Sequence, residues 1–453
     1  MFKLSFFYIG SFSFILSILS FFNIIYSYYF KILYNIEIYT YTLIITLIFS
    51  LPFFIKKNEY KKFSIYEKII AVASGYLILP LIISIPYYFG VNYLSFVDSY
   101  FEAVSGFTST GFSIFENVKY LDQSLLIWRS TSQWFGGLYF LISILFLIDL
   151  YDDNYKKILT NFISLDVNEI IKQSTKILFV YTSITLLLFI LYKIINLRSF
   201  DAFNLSLTII SSGGFLTVNN ISEILQSNYQ IYIFSCSMLI SFFGILLPYN
   251  VIFSRKKDLL VFTEDYYLLV YLVSLIGIFF IFFNQDNNFS ITLFSLISSV
   301  SNIGFSFEVN NQDNFIFLIL IIIGGSLVST SSGLRFLKIY ILTKFSLNEL
   351  VSVFFAPEDR DQMLQVAECE SSASPDDTYS VAINPKSKAA GWFQHLPQYW
   401  IERSADAGYA GAHVLDPVAN VAVAAHLYYG QNSNERWGGL SHWWPSYRCW
   451  ETQ

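Results

Sequence analysis

Charge, cysteine, histidine and alanine are scarce through most of this chain, and each scarcity narrows what it can be. Charged residues make up 13% of the 453 positions against 55% hydrophobic, a balance rare in a soluble protein of this length. No basic patch stands out, which argues against nucleic acid as a partner. Three cysteines (Cys236, Cys369, Cys449) and four histidines (His395, His413, His426, His442) are scattered without metal-ligand spacing, so no cofactor and no resident metal is expected. Through Phe355, alanine occurs only at Ala71, Ala73, Ala103 and Ala202; from Ala356 the chain turns rich in alanine, proline and tryptophan and holds every histidine. The break reads as two sequences joined end to end. Six Lys/Arg against twelve Asp/Glu follow Ala356, so the tail carries the whole net charge of −6 and the first part is neutral.

What the first part does have is long apolar runs. Stretches at about 4–30, 39–55, 69–89, 125–150, 177–194, 230–253, 267–284 and 314–343 are long enough to cross a bilayer, and helices are the expected spanning form. The first lacks a small-residue cleavage site and is read as a retained span. Lysines and arginines mark the turns after the second span (Lys56, Lys57, Lys61, Lys62, Lys68), the fourth (Lys156, Lys157, Lys172, Lys176) and the sixth (Arg255, Lys256, Lys257) as cytoplasmic. The opposite loops hold Asp98, Glu102, Glu116, Asp122, Asp201, Glu223, Asp286, Glu308 and Asp313. These acids either concentrate cations at an outer vestibule or only solvate the loops. Cys236 lies in a span and reads as an inert packing residue.

Between spans three and four, five and six, and seven and eight lie segments too short and too polar to cross. Each ends in a glycine motif: Phe107-Thr108-Ser109-Thr110-Gly111-Phe112, Ser211-Ser212-Gly213-Gly214-Phe215 and Ser301-Asn302-Ile303-Gly304-Phe305. Glycine among small polar residues at membrane depth suits an ion filter, where carbonyls replace an ion's water and φ > 0 is needed. A half-membrane helix ahead of each motif points the negative end of its dipole at the centre, which favours a cation.

Glu102-Ala103-Val104-Ser105-Gly106-Phe107-Thr108-Ser109-Thr110-Gly111, Trp128-Arg129-Ser130-Thr131-Ser132-Gln133-Trp134-Phe135-Gly136-Gly137 and 323–335 together resemble the Trk/Ktr potassium-transporter membrane subunit over residues 1–350. The resemblance implies an all-α membrane protein of the bacterial inner membrane, built from helix–pore loop–helix units of which three of four are recognisable. It divides the chain into an N-terminal hairpin (1–68), repeats one to three (69–176, 177–266, 267–350) and a junction (351–362). It makes Gly111, Gly214 and Gly304 filter glycines with Thr110, Gly213 and Ile303 as carbonyl-bearing neighbours, and potassium the transported ion. Gly324, Gly325, Ser329, Thr330, Ser331, Gly333 and Arg335 fall in its gate loop, where clustered Gly and Ser independently weaken a helix. Implied partners are membrane lipid, a second copy of the subunit and a cytosolic nucleotide-binding regulatory ring. The fourth unit is replaced by the tail, so three units alone leave the ring open.

The tail, 363–453, resembles the lysozyme-like domain of lytic transglycosylases in Glu370-Ser371, Gly391-Trp392-Phe393-Gln394 and Asn420-Val421-Ala422-Val423-Ala424-Ala425. That implies a small α-helical domain acting on peptidoglycan, with Glu370 as catalytic acid and Gln394, Trp392 and Tyr428 along the sugar groove. Cys369 and Cys449 bracket this small unit, which suggests a disulfide. The alternative function is therefore a membrane-tethered peptidoglycan lyase or muramidase. The span topology puts the tail on the cytoplasmic side, where neither peptidoglycan nor a disulfide is at home.

Overall fold

The structure, a computed structural model, describes residues 2–55, 64–147, 167–244, 263–283, 289–307, 314–326, 329–334, 346–378, 380, 382–430 and 438–450. The chain divides into two compact units, Met1–Leu337 and Lys338–Gln453. Among the described residues both are helical, with isolated β-bridges and no strand, so the all-α class is borne out.

The first unit opens with a hairpin of α1 (Phe2–Tyr29) and α2 (Leu33–Ile55). Three helix–half-helix–helix repeats follow. The first has α3 (Ile65–Ile83) and α4 (Ile85–Gly90), the half-length α5 (Phe96–Phe107), then α6 (Gln123–Phe146). The second has α7 (Val167–Ile194), the half-length α8 (Ser199–Ser211), then α9 (Asn228–Phe242). The third has α10 (Thr263–Phe283), the half-length α11 (Phe289–Val300), then α12 (Asn314–Ile323). Among the described residues four helices are long and apolar enough to cross a membrane, Ser5–Tyr29, Asn35–Pro52, Ile65–Gly90 and Gln173–Ile194.

Lipid gives helices little hydrophobic reason to associate, so packing rests on close approach and hydrogen bonds. Tyr139 Oη donates to the Val72 carbonyl at 2.7 Å, Tyr8 and Ser143 share a bond of 2.9 Å, and Trp134 Nε1 donates to Thr185 Oγ1 at 3.0 Å. α6 is the hub. Its polar run Arg129-Ser130-Thr131-Ser132-Gln133 is buried by protein, which is where polar residues at membrane depth survive. α6 packs on α8 of the next repeat, and α9 likewise on α11. That stagger lines the three half-length helices up in chain order.

The second unit holds α13 (Leu347–Phe354), α14 (Arg360–Ser371), α15 (Pro397–Asp406), α16 (Pro417–Tyr429) and the short α17 (Tyr447–Trp450). Its core joins Leu347, Leu350, Val351 and Phe355 to Met363, Val366, Trp392, Phe393 and Val421. This differs from the sequence division, which gave 347–350 to the third repeat and 351–362 to a junction. Residues on both sides of the Phe355/Ala356 composition break share one core.

Candidate functional site

The three glycine motifs fold into one repeated loop. Within two residues of its end each half-length helix is followed by a residue with left-handed φ: Ser109 at +53°, Ser212 at +52° and Asn302 at +56°. Two residues after it comes the glycine, with φ of +81° at Gly111, +80° at Gly214 and +81° at Gly304. Only glycine adopts such angles without steric cost. The residue between donates its amide back to the helix: Thr110 to the Ser105 carbonyl at 3.0 Å, Gly213 to Thr208 at 2.9 Å, Ile303 to Ser298 at 3.1 Å. The hydroxyls of those same helix residues reach forward to the phenylalanine after the glycine. Ser105 donates to the Phe112 carbonyl, Thr208 to Phe215 at 3.2 Å and Ser298 to Phe305 at 2.7 Å. Sequence reasoning missed these three hydroxyls, although a Ser or Thr seven residues before each phenylalanine was a visible signal.

The loops meet in order. A Cβ added at Gly111 would lie 2.7 Å from the Gly213 carbonyl oxygen, and one at Gly214 would lie 2.5 Å from that of Ile303. At Gly304 it would meet nothing within 4 Å. Phe215 packs under the Arg129 guanidinium of α6, and Phe305 against Phe234 of α9, leaving them 3% and 4% exposed. Phe112, the first in the series, is 68% exposed. Among the described residues of the first unit, no fourth loop stands between the third and the first. A cavity of about 710 Å³ lies there, lined by Thr110, Gly111 and Phe112 on one side and Gly304, Phe305 and Ser306 on the other.

Two buried polar side chains hold the loops from behind. Gln133 Nε2 donates to the Gly213 carbonyl, while its Oε1 accepts from Phe215 N and Thr208 Oγ1, each at 3.2 Å. The Gly213 carbonyl therefore has a protein donor, where the sequence reading left it to the ion. Arg129 Nε donates to Glu102 Oε1 at 2.9 Å, its Nη2 to Ser113 Oγ at 2.9 Å and its Nη1 to the Leu216 carbonyl. Glu102 Oε2 also accepts from Ile114 N at 3.0 Å. One buried ion pair ties the outgoing strands of loops one and two together.

That pair takes Glu102 out of the outer vestibule. Glu102 is fully buried against Arg129, and Asp201 accepts from Arg198 and Thr217. Asp98 caps α5, Asp122 accepts from Asn35 and Glu223 pairs with Lys119. Glu116 alone among the described acids of that set lies exposed without such a contact in its favour or against it. Asp286, Glu308 and Asp313 lie outside the described residues, as do most of the basic residues used to orient the chain.

Below the filter loops, α12 stops at Ile323 and the chain doubles back on itself. Gly324 and Gly333, with φ of +69° and +99°, pack together, and Leu334 N donates to the Ile322 carbonyl at 2.8 Å. Carbonyls at helix C-termini lack intrahelical partners, and this loop supplies them. Ser326 N donates to the Phe242 carbonyl at 3.0 Å and Ser331 N to that of Ser241 at 3.3 Å, both at the end of α9. Thr330 Oγ1 donates to the Ile210 carbonyl of α8 at 2.8 Å. Asn302 Nδ2 donates to the Ile321 and Ser332 carbonyls at 3.1 and 3.0 Å. Ser331 Oγ accepts from Gly325 N at 3.1 Å and lies 2.8 Å from Ser329 Oγ. Arg335 lies outside the described residues. Cys236, expected to be packed, is instead exposed on α9.

In the second unit Cys369 and Cys449 are joined, with Cα atoms 5.9 Å apart. Glu370 is partly buried and accepts from Ser446 Oγ at 2.6 Å; burial holds its carboxyl above the usual carboxylate range. Glu368 is exposed. The expected groove residues are otherwise engaged. Trp392 is a core side chain, Gln394 donates to the Ala382 and Gly391 carbonyls, and Tyr428 donates to Asp359. A cavity of about 420 Å³ lies beside Ser371, Asp376, Asp377 and Trp392.

No family model matches the chain. It is 27% identical over 347 residues to an uncharacterised cation transporter of Methanocaldococcus jannaschii, covering 72% of this chain and 69% of that one. It is 23% identical over 294 residues to the Trk system potassium uptake protein TrkH of Halomonas elongata, covering 60% of this chain and 59% of that one. In fold it is similar to the crystal structure of the potassium transporter TrkH from Vibrio parahaemolyticus. The TM-score is 0.64 at 18% identity, over 94% of this chain and 89% of that one. Its apolar helices and these likenesses make the first unit a multi-pass protein of the inner membrane. The chain is thus similar, in sequence and in fold, to the membrane subunits of Trk-type potassium transporters.

Proposed function

We propose that the chain moves potassium across the membrane along the axis its three filter loops surround. The observation that carries this reading is one loop geometry made three times, each glycine at φ of +80° or +81° and each loop set against the next. Thr110 and Ile303 offer carbonyls beside their glycines, Gly213 shares its carbonyl with Gln133, and three helix C-termini add negative potential for a cation. The loop from Gly324 to Gly333 acts as a gate beneath. The printed names of the relatives, a cation transporter and a potassium uptake protein, support the reading. Conduction requires that the open side be closed by a fourth helix–loop–helix unit. The resemblance adds a second subunit and a nucleotide-binding ring as partners. The test is flux in vesicles holding the chain assembled with a fourth unit taken from the Halomonas relative. Potassium or rubidium uptake well above sodium uptake is expected, and equal uptake of the two ions by a folded assembly sinks the proposal.

For the second unit the reading favoured by one observation is a sugar-cleaving acid at Glu370, whose carboxyl is held protonated to higher pH than usual. Glu370→Gln keeps the shape and removes the proton. Peptidoglycan cleavage by the parent and not by this variant is the expected result; cleavage by neither removes the enzyme reading.

A further inference from the structure

α6 is wedged between two half-length helices. A Cβ added at Gly136 would meet the Phe107 carbonyl at the end of α5, and one added at Gly137 would meet Ser211 at the end of α8. Glycine at both positions lets the backbones come that close, and Gln133, one turn earlier, is fully buried behind the second filter loop. There its amide has one orientation. Phe215 N can only donate, so the atom facing it is Oε1; the Gly213 carbonyl can only accept, so the atom facing it is Nε2. Gly213 takes no positive φ, unlike Gly214, but a Cβ on it would run into the Gln133 amide. Its lack of a side chain makes room for that amide. The matching positions in the other loops are Thr110 and Ile303, and among the described residues no side chain donates to their carbonyls. Loop two alone is braced in this way.

We propose that Gln133 sets the ion preference of the filter by holding the Gly213 carbonyl in place and occupying one of its two lone pairs. The inference rests on the reading of the three loops as an ion filter. Preference between monovalent cations depends on the number and field strength of the coordinating carbonyls. A smaller ion brings its charge closer to each oxygen and gains more from a strong field than a larger ion does. The positive end of the Gln133 N–H dipole against the Gly213 oxygen weakens that field, which shifts the balance from sodium toward potassium. Thr208 Oγ1 and Phe215 N, both donating to Oε1 at 3.2 Å, keep the amide from turning away.

Radioactive rubidium bound to the full chain in nanodiscs, and displaced by potassium or by sodium, reads the preference. The parent should need severalfold less potassium than sodium for the same displacement. No rubidium bound, or equal displacement by the two ions, would sink the filter reading and this inference with it. Gln133→Leu removes the donor, and the preference should fall severalfold toward sodium. Because that change also takes the acceptor from Phe215 N and can cost folding, Gln133→Glu is the second variant. Protonated, its carboxyl keeps the acceptor and returns a donor to the Gly213 carbonyl; ionised, it turns a charged oxygen on that carbonyl. Its preference should match the parent's in acid and fall as pH rises. The parent, whose Arg129 stays paired with Glu102 one turn earlier on α6, should hold its preference over the same range. Where the parent discriminates, an undiminished preference in folded Gln133→Leu overturns the proposal alone. So does a Gln133→Glu preference lowered equally at every pH, which would make Gln133 a packing residue.

Discussion

Gly111, Gly214 and Gly304 share one backbone angle but not one set of neighbours, and that difference can be measured. An L side chain at such a φ costs roughly 1–2 kcal/mol by itself. At Gly214 the added Cβ also meets the Ile303 carbonyl oxygen, whereas at Gly304 it meets nothing. Gly214→Ala is therefore expected to lower the unfolding temperature of the chain more than Gly304→Ala; equal losses would show that φ alone matters. If a fourth unit is present and closes the ring, the two should converge, which makes the pair a probe of the open side. Arg129 poses a different problem. Removing one member of a buried ion pair leaves the other uncompensated, at a cost of about 3–5 kcal/mol. Arg129→Ala should lower the unfolding temperature sharply, and Arg129→Met with Glu102→Leu should recover much of the loss. If the double replacement is as unstable as the single one, the hydrogen bonds to Ser113 and Leu216 outweigh the charge pairing.

The half-length helices and the doubled-back loop are where sequence and structure can best be compared. The helices were legible because their ends are marked: Ser95 caps α5, and a glycine that must take positive φ stands just past each carboxyl end. The loop after α12 was legible as well, since Gly and Ser clustered in an apolar run weaken a helix. What it docks on was not. Its partners are backbone carbonyls at the ends of α8 and α9, and a carbonyl is the same in every residue. Arg129 with Glu102 and Gln133 with Gly213 were equally hidden, because nothing local pairs residues a helix and a loop apart. In the second unit Trp392 and Gln394 present the opposite case. A motif that resembles a groove wall lies on a tight turn whose ring and amide are used internally. The docking of the loop yields a prediction of its own. Thr330→Val keeps the shape and removes the donor to Ile210, weakening the dock by about 1 kcal/mol. If the loop is a gate, flux should rise severalfold with ion preference unchanged. Unchanged flux would make Thr330 a packing residue only.

The two units obey different solvents, and acid separates them. The first is held by approach and hydrogen bonds within lipid, while the second has an aqueous kind of core that runs across the composition break from Leu347 to Trp450. Six of the eight tryptophans belong to the second unit, so its unfolding dominates intrinsic fluorescence. In its core His395 Nε2 donates to the Asn420 carbonyl at 2.9 Å; burial lowers its pKa from 6.5 to about 4 against the pull of that bond, with Arg403 and His442 adding to the lowering. The unfolded chain then binds this proton more readily than the folded one at every pH between those two values. Stability from the neutral imidazole is complete above about 6.5 and lost as pH falls toward 4, about 3 kcal/mol in all. Glu370 works the other way, because its raised pKa means the folded state holds that proton longer as pH rises. Urea unfolding of the full chain followed by fluorescence should therefore show the second unit weakening below pH 6.5. The difference between the parent and His395→Gln isolates the imidazole from Glu370. If the two proteins lose stability in parallel over that window, His395 is not what senses the acid.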